Sequence, residues 1–404
     1  MQAVAAGLLA AFVGFASSFA VVLQGLMAVG ATRTEAASGL MALAIAMGAS
    51  GALLSLWRRQ PISVAWSTPG AALLATSGAP EGGFPAAVGA FLVCGALIVI
   101  AGLWKPLGRA VERIPPALAN AMLAGVLLGL CLAPVRAMGS VPLLATPVVL
   151  VWALVFHFKR LYAVPAAVLV VVGLIAVQGM PTGMDSLWPA PVVVRPVFTV
   201  AAALGLGVPL FLVTMASQNI PGMAVLHLNG YRPPASPLFV TTGVFSLLGA
   251  PFWGHAVNLA AITAALCAGP DAHPDPRRRY WAAVVAGLTY VVFGMLAGAA
   301  TAFIAASPPV LIEAVAGLAL LGAFGSALLG AVSAVEGREA ALVTFLVTAS
   351  GQGFLGVSGA FWGLPREGPC WCWRPLRIWA TDEHGLTGMF WGWTPDHGLG
   401  HNRL

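Results

Sequence analysis

The sequence predicts an all-α polytopic membrane protein with about 14 transmembrane segments, arranged as two inverted repeats of seven. Its 404 residues are 59% hydrophobic and only 8% charged, whereas a soluble domain carries about 25% charged residues. Apolar stretches near the 20-residue length that crosses a bilayer recur along the chain. Two short, broken apolar segments, 61–77 and 251–268, occupy matching positions in its two halves. Such a pair marks the binding site of transporters built from repeats.

The predicted segments extend from the N-terminus to residue 364. The first apolar stretch is too long for a signal-peptide core and lacks a basic start, so we interpret it as the first span. Seven segments per half, an odd number, give the second half the inverted orientation. Besides the two broken segments, the predicted spans are 3–29, 35–56, 82–104, 116–134, 141–157, 162–178, 197–225, 236–250, 279–306, 309–333, 339–350 and 353–364.

The basic residues indicate the orientation. With a cytoplasmic N-terminus, twelve Lys and Arg fall in cytoplasmic loops and three in external loops, which obeys the positive-inside rule. The net charge of +6 is therefore explained by basic residues in cytoplasmic loops. The one dense basic run, 277–279, is too short for a nucleic-acid surface. The twelve are Arg58, Arg59, Lys105, Arg109, Arg113, Lys159, Arg160, Arg232, Arg277, Arg278, Arg279 and Arg338; the three are Arg33, Arg136 and Arg195.

The first broken segment contains a helix start inside the membrane. Residues 62–66 favour a short strand ending at Trp66, and Ser67 or Thr68 followed by Pro69 is typical of an N-cap with proline in the first helical turn. A helix that begins at mid-membrane presents N–H groups and a positive dipole end, which suit an anion. The alternative is a kinked helix without a ligand.

The second broken segment carries Trp253, His255 and Asn258. Residues three apart share one face of a helix, so His255 and Asn258 are expected side by side. Ionisable residues inside a membrane are costly and often functional, and histidine titrates near neutral pH. We therefore predict that His255 couples transport to protons. The alternatives are a purely structural histidine and a packing role for Trp253 and Trp66.

A third polar cluster interrupts the apolar span at 197–225. Ser217, Gln218 and Asn219 need partners at this depth, and 221–222 (Pro-Gly) loosens the helix beside them. They are candidate donors to a substrate carboxylate, or else they hold helices together. Gln24 in the first span is a further candidate with the same alternative.

Several classes of function are disfavoured. Neither broken segment contains Asp or Glu, so neutral donors and helix ends suit an anionic substrate better than a cation. The sequence has no GxxxxGK[ST], HExxH or nucleophile-elbow motif, which argues against an ATP-driven pump, a metalloenzyme or a hydrolase. The five cysteines show no CxxC spacing. We expect no cofactor and no metal; an intramembrane enzyme or a sensor is the less favoured alternative.

Four stretches resemble the benzoate membrane transporter (BenE) family of bacterial benzoate/proton symporters. They are 61–75 (PISVAWSTPGAALLA), 214–222 (TMASQNIPG), 254–263 (GHAVNLAAIT) and 338–351 (REAALVTFLVTASG). The resemblance covers about residues 5–364. It implies import of benzoate or a similar aromatic carboxylate with a proton across the bacterial inner membrane.

The family resembles the uracil permeases and the sulphate-type anion exchangers. That resemblance implies a core domain (about 3–104 and 197–306) that moves like an elevator against a gate domain (about 116–178 and 309–364), and a homodimer. The alternative on the same fold is a carrier of a nucleobase or another anion. Nucleobase carriers typically place carboxylates in the broken segments, and this sequence has none there.

The C-terminal tail, 365–404, departs from the family pattern. It holds five of the 13 Trp and three of the seven His, without periodicity. Our hypothesis is a frameshifted or otherwise altered C-terminus that leaves the last gate helix incomplete. Resequencing of the locus decides this, and an intact frame would refute it. A metal site from Cys370, Cys372 and His384 is a minor alternative.

Overall fold

The described part of the chain is mainly helical. The computed structural model describes residues 2–104, 106, 115–178, 188–260, 262–333 and 337–350. The first half comprises α1 (Gln2–Ala16), α2 (Phe19–Ala28), α3 (Arg33–Arg58), β1 (Val64–Trp66), α4 (Thr68–Ser77), α5 (Gly83–Leu103), α6 (Pro116–Cys131), α7 (Ala133–Ser140), α8 (Pro142–Phe158) and α9 (Ala163–Gln178).

The second half begins with a long helix that contains two π-helical turns. Its elements are α10 (Val200–Leu228), α11 (Ala235–Gly249), β2 (Val257–Leu259), α12 (Ile262–Ala268), α13 (Tyr280–Met295), α14 (Ala297–Ala306), α15 (Pro309–Val332) and α16 (Arg338–Ala349). The π turns of α10 cover Ala203–Gly207 and Met215–Asn219. The predicted span 353–364 and the tail lie outside the described residues.

Within the described residues, seven helices are long and apolar enough to cross a membrane, or eight if the bent pair α13 and α14 counts as one span. The axis turns by 59° within that pair. The chain is therefore a polytopic membrane protein. The expected number of about 14 is larger because it also includes α8, α9, α16 and the two broken segments, which are shorter than a full crossing, and the span 353–364, which lies outside the described residues. It stays a prediction.

The two broken segments meet in an antiparallel pair of strands. Ala65 of β1 lies opposite Asn258 of β2. Two backbone bonds extend the pair: Ser67 N–H donates to Ala256 O (2.9 Å), and Ala260 N–H donates to Ser63 O (3.0 Å). Each strand directly precedes a short helix, α4 or α12. Pairing satisfies backbone groups that water does not reach, which makes non-helical backbone tolerable at this depth.

Helix packing repeats between the halves. The helix α3 packs against α13, and α5 packs against α11. Each pair therefore consists of one helix from the first half and one from the second half. Small residues allow the close approach: a Cβ added to Gly287 would lie 2.5 Å from Gly48 O. Separately, α6 packs against α15 and α16, and α8 packs against α9. Close contact through glycine is a common means of packing helices in membranes.

Candidate functional site

A small cavity lies at the start of α4. Its volume is about 110 Å³, which exceeds the room for a single water. The lining is mainly apolar, with hydroxyl and amide groups among it, and contains no acidic or basic side chain. The lining residues are Val13, Gly14, Ser17, Ser18, Met47, Ala65, Trp66, Thr68, Pro69, Leu127, Gln218, Ala260, Thr263, Tyr290, Ala319, Leu320 and Ala323.

The N-terminus of α4 is capped as the sequence predicts. Ser67 is the N-cap, and its Oγ accepts from Gly70 N–H (3.1 Å) while bonding to Thr214 Oγ1 (2.8 Å). Pro69 has no N–H, and Ala71 N–H donates to Ser67 O. Among the described contacts, the N–H of Thr68 therefore remains as the first-turn donor for a ligand. Ser67 itself is completely buried and serves the cap.

Trp66 forms a fixed wall of the cavity. Its indole Nε1–H donates to Ser18 Oγ (2.9 Å), and Ser18 Oγ in turn donates to Gly14 O (3.0 Å). The Phe15 ring lies 5.3 Å from the indole ring, centroid to centroid. The break between α1 and α2 at Ser18 thus anchors the aromatic surface that β1 presents to the cavity.

The three polar residues of the π turn have different roles in the structure. Gln218 lines the cavity. Asn219 is buried and holds β2, because its Oδ1 accepts from Leu259 N–H (2.9 Å). Ser217 Oγ donates to Val213 O on its own helix. One of the three is therefore a cavity residue, and Asn219 fits the alternative of holding elements together.

The expectation that His255 and Asn258 share a helical face is wrong. Asn258 lies in β2, and His255 precedes that strand in backbone that is neither helix nor strand, so the two residues do not share a helical turn. Strand pairing with β1 replaces the expected helical turn. The His255 ring contacts Phe91 of α5, with centroids 6.3 Å apart. Its Nδ1 accepts from Ala256 N–H (2.7 Å).

Buried polar atoms without a hydrogen-bond partner cluster around the second broken segment. Four of the eight such atoms among the described residues belong to Trp253 (Nε1), His255 (Nε2) and Asn258 (both amide atoms). The others are Gln24 Oε1 in α2, Arg58 Nε, Gln60 Oε1 and Thr348 Oγ1. Such atoms are costly and rare in proteins. Asn258 stands directly across from Ala65, and opposite residues of paired strands point to the same face. Ala65 lines the cavity, so the backbone of Asn258 runs next to a lining strand, although Asn258 is not itself a lining residue.

The other two residues of this group lie elsewhere. The Trp253 ring stacks on Phe84 of α5, with centroids 3.5 Å apart, which fits the packing alternative. Neither Trp253 nor His255 lines the cavity, and neither does Gln24. The structure therefore brings Trp66, Thr68 and Gln218 together, places Asn258 on the strand that pairs with β1, and separates the remaining candidates.

Sequence reasoning missed four hydroxyl residues of the cavity: Ser17, Ser18, Thr263 and Tyr290. Thr263 Oγ1 bonds to Ser63 Oγ (3.0 Å), and Tyr290 Oη donates to Ala10 O (3.3 Å). A Ser-Ser pair in the middle of the first span was a signal for Ser17. Tyr290 and the neighbouring Thr289 lie in an otherwise apolar helix, and neither gave a clear signal.

No group of three or more His, Cys, Asp or Glu side chains that would hold a metal ion occurs in the described part of the chain. The residues of the minor alternative, Cys370, Cys372 and His384, lie outside the described residues.

The fold has counterparts among solved structures. The transmembrane domain of the cyanobacterial bicarbonate transporter BicA matches with a TM-score of 0.55 at 14% identity, covering 86% of this chain and 96% of that one. A structure of SLC26A9 matches with a TM-score of 0.57 at 13% identity, covering 89% of this chain and 63% of that one. These likenesses show the fold, and the many apolar helices on it define a polytopic membrane protein with two paired broken segments beside a cavity.

Sequence relatives give the family. Residues 1–367 match the BenE family, described as Benzoate membrane transport protein, and the chain belongs to that family. It is 42% identical over 368 residues to the Inner membrane protein YdcO of Escherichia coli (strain K12), covering 91% of this chain and 94% of that protein. It is 33% identical over 366 residues to the Benzoate membrane transport protein of Acinetobacter baylyi, covering 90% and 93%. The chain is therefore a transporter and not an enzyme.

Proposed function

We propose that this protein imports benzoate or a similar aromatic carboxylate across the bacterial inner membrane together with a proton. The observation that carries the proposal is the cavity at the start of α4. It joins an aromatic and aliphatic lining to the N–H and hydroxyl of Thr68 and the amide of Gln218, and the unpaired amide of Asn258 belongs to the strand that pairs with a lining strand. A 33% identical relative is named a benzoate transport protein, and a 42% identical one is named an inner membrane protein.

The cavity matches the two ends of an aromatic carboxylate. Trp66, Met47 and Leu320 offer an apolar surface to the ring. The carboxylate is stabilised by Thr68 and Gln218, and by the positive end of the α4 dipole. The helix α12 has only seven residues, less than two turns, so the anion site is assigned to α4 alone. A largely apolar lining favours an aromatic acid over a small inorganic anion.

An elevator-like mechanism is supported by the position of the cavity. Its lining includes α1, β1, α4, α10, α12 and α13, which fall in the proposed core, and α6 and α15, which fall in the proposed gate. A substrate bound between two such bodies is carried across when the core slides against the gate. The contacts of α6 with α15 and of α3 with α13 fit that division. We also propose a homodimer.

The test is uptake of radiolabelled benzoate into proteoliposomes under an inward proton gradient. Benzoic acid crosses lipid unaided, so protein-free liposomes set the baseline. We expect protein-dependent accumulation that a protonophore abolishes. Thr68→Val should raise the half-saturating benzoate concentration at least tenfold. The matched control is Thr76→Val in the same helix, because the Thr76 hydroxyl donates to Leu73 O (3.0 Å) away from the cavity.

Inhibition of benzoate uptake by other solutes tests the substrate class. Excess 4-hydroxybenzoate should inhibit benzoate uptake, whereas bicarbonate and uracil should not. Uptake that is no higher than in protein-free liposomes, or inhibition by uracil alone, would refute the proposal.

Proton coupling through His255 is tested in the same vesicles. Its Nδ1 accepts from Ala256 N–H, so the neutral ring carries its proton on Nε2, which is buried and has no partner among the described residues. A second proton would enter at Nδ1 and break the bond from Ala256 N–H. We expect His255→Ala to lose accumulation driven by the pH gradient while it retains exchange of labelled for unlabelled benzoate. Accumulation at the wild-type level would show that another group, or the substrate itself, carries the proton.

A further inference from the structure

A second, open cavity of about 580 Å³ lies at one end of the helix bundle and shares no residue with the first. It forms where the start of α1, the end of α3 and the loop 269–279 meet. Its lining residues are Ala3, Val4, Arg59, His273, Arg277, Arg278, Tyr280 and Trp281.

The cavity is strongly basic. Three arginines line it, and all three are exposed. The acid in contact with them is Asp275, whose Oδ2 lies 3.6 Å from Arg278 Nε in a solvent-exposed pair. Its Oδ1 accepts from the backbone N–H of Arg277 (2.9 Å). One carboxylate against three guanidinium groups leaves a positive excess that suits an anionic ligand with several oxygen acceptors.

The loop that presents these arginines is held in place. Arg279 is buried; its Nη1 donates to Ala268 O (2.9 Å) at the end of α12, and its Nε donates to His273 O (2.8 Å). Arg59 ends α3 with a left-handed φ of 51°, a conformation that glycine usually provides. The positive residues therefore stand on fixed backbone at the cavity rim.

Apolar stripes lead from the cavity along the membrane-spanning helices. On α1, the residues Val4, Leu8 and Phe12 recur every four positions and are 44%, 49% and 48% exposed. On α13, which packs against α1, Trp281 and Leu288 are 46% and 58% exposed. In a membrane protein, such stripes face acyl chains, and exposed tryptophans at a helix end mark the headgroup level.

We propose that this basic cavity binds the headgroup phosphate of an anionic phospholipid, whose acyl chains lie along the exposed stripes of α1 and α13. The arginines meet the phosphate oxygens, and Val4 and Trp281 contact the first carbons of the chains. A zwitterionic lipid fits less well, because its own cation would face the arginines. Basic pockets at helix ends are recognised sites for anionic headgroups.

The experiment uses the full chain purified in detergent. Phosphatidylglycerol or phosphatidylcholine with identical acyl chains is titrated in, and the thermal unfolding temperature and the number of bound lipids are measured, the latter by native mass spectrometry. We expect phosphatidylglycerol to raise the unfolding temperature by several degrees and phosphatidylcholine to have less than half that effect. The double variant Arg59→Gln/Arg277→Gln should bind phosphatidylglycerol at least fivefold more weakly.

Two matched variants complete the design. Arg59→Lys/Arg277→Lys keeps the charge and should retain most of the binding. Arg33→Gln/Arg136→Gln removes two arginines from the predicted opposite face and should bind like the wild type. Equal binding of both lipids, or unchanged binding by Arg59→Gln/Arg277→Gln, would overturn the proposal. An equal effect of inorganic phosphate would assign the cavity to a free anion and overturn the lipid proposal too.

Discussion

Two asparagines of the same region are buried to the same extent but differ in their bonding. Asn219 and Asn258 have no exposed surface. The Asn219 amide fixes β2 through Leu259 N–H, whereas both amide atoms of Asn258 have no partner among the described residues. An unpaired buried amide lowers the free energy of unfolding, and its position in the strand that pairs with a lining strand fits our proposal that it binds the substrate.

This difference predicts opposite effects of one substitution. Asn219→Leu leaves Leu259 N–H buried and unpaired, which should destabilise the protein by about 1–3 kcal/mol. Asn258→Leu removes an unpaired amide of similar volume, so the unfolding temperature in detergent should stay equal or rise, while benzoate uptake falls. Thermal unfolding and uptake are measured for both. If Asn258→Leu destabilises as much as Asn219→Leu, the Asn258 amide holds structure and not substrate.

Sequence reasoning succeeded at the residue scale where the chemistry is local. The Ser67 cap and Pro69 in the first turn of α4 depend on neighbours within three positions. It failed for His255 and Asn258, because their backbone is set by pairing with β1, about 190 positions away in the chain. Local periodicity contains no information about such a partner.

At the scale of elements, close contact between α2 and α4 positions the cavity. A Cβ added to Gly25 of α2 would collide with Ala71 O and lie 3.1 Å from its carbonyl carbon. Both atoms belong to the backbone of α4, which no side-chain rotation can move aside. Since Thr68 begins α4, a shift of this helix displaces the donor that we assign to the substrate.

We therefore predict that Gly25→Ala impairs both folding and transport. Overpacking of this kind typically costs about 1–3 kcal/mol, and benzoate uptake should fall with it. The control is Gly322→Ala in α15, where an added Cβ meets nothing within 4 Å. Alanine favours a helix over glycine by up to about 1 kcal/mol, so this variant should be as stable as the wild type or more so. An unaffected Gly25→Ala would show that α2 and α4 separate freely.

The sequence predicted the bounds of long, uniformly apolar helices well and missed a short break within one of them. Long apolar helices such as α3 and α5 lie within two residues of the predicted spans 35–56 and 82–104. The first span divides into α1 and α2, because the chain turns at Ser17 and Ser18. Hydropathy averages over many residues and does not detect a break that side-chain bonds to a neighbouring strand stabilise.

At the scale of the whole molecule, three segment ends gather on one side. Ala3, Arg59 and Arg277 line the same open cavity. The Tyr231 hydroxyl donates to Pro276 O (2.8 Å), which joins the loop between α10 and α11 to that side. The charge count independently assigned the N-terminus, Arg59, Arg232 and Arg277 to one side, the cytoplasm. The contacts in the structure and the count of basic residues therefore place the same segment ends on one side. That this side is the cytoplasmic one follows from the charges alone.

Thiol labelling tests this orientation. In a chain carrying Cys370→Ser and Cys372→Ser, the remaining cysteines, Cys94, Cys131 and Cys267, are buried. Arg277→Cys should react with a membrane-impermeant maleimide in inside-out vesicles and not in spheroplasts. Arg136→Cys should show the reverse pattern, because five predicted segments separate the two positions and an odd number places them on opposite sides.

Each alternative outcome of the labelling has a distinct meaning. If Arg277→Cys were labelled in spheroplasts and Arg136→Cys in inside-out vesicles, the orientation would be the reverse of the predicted one. The basic cavity would then lie on the external side. Labelling of both on one side would leave the orientation open but make the number of segments between them even. That result would remove the odd count per half on which the inverted repeat depends.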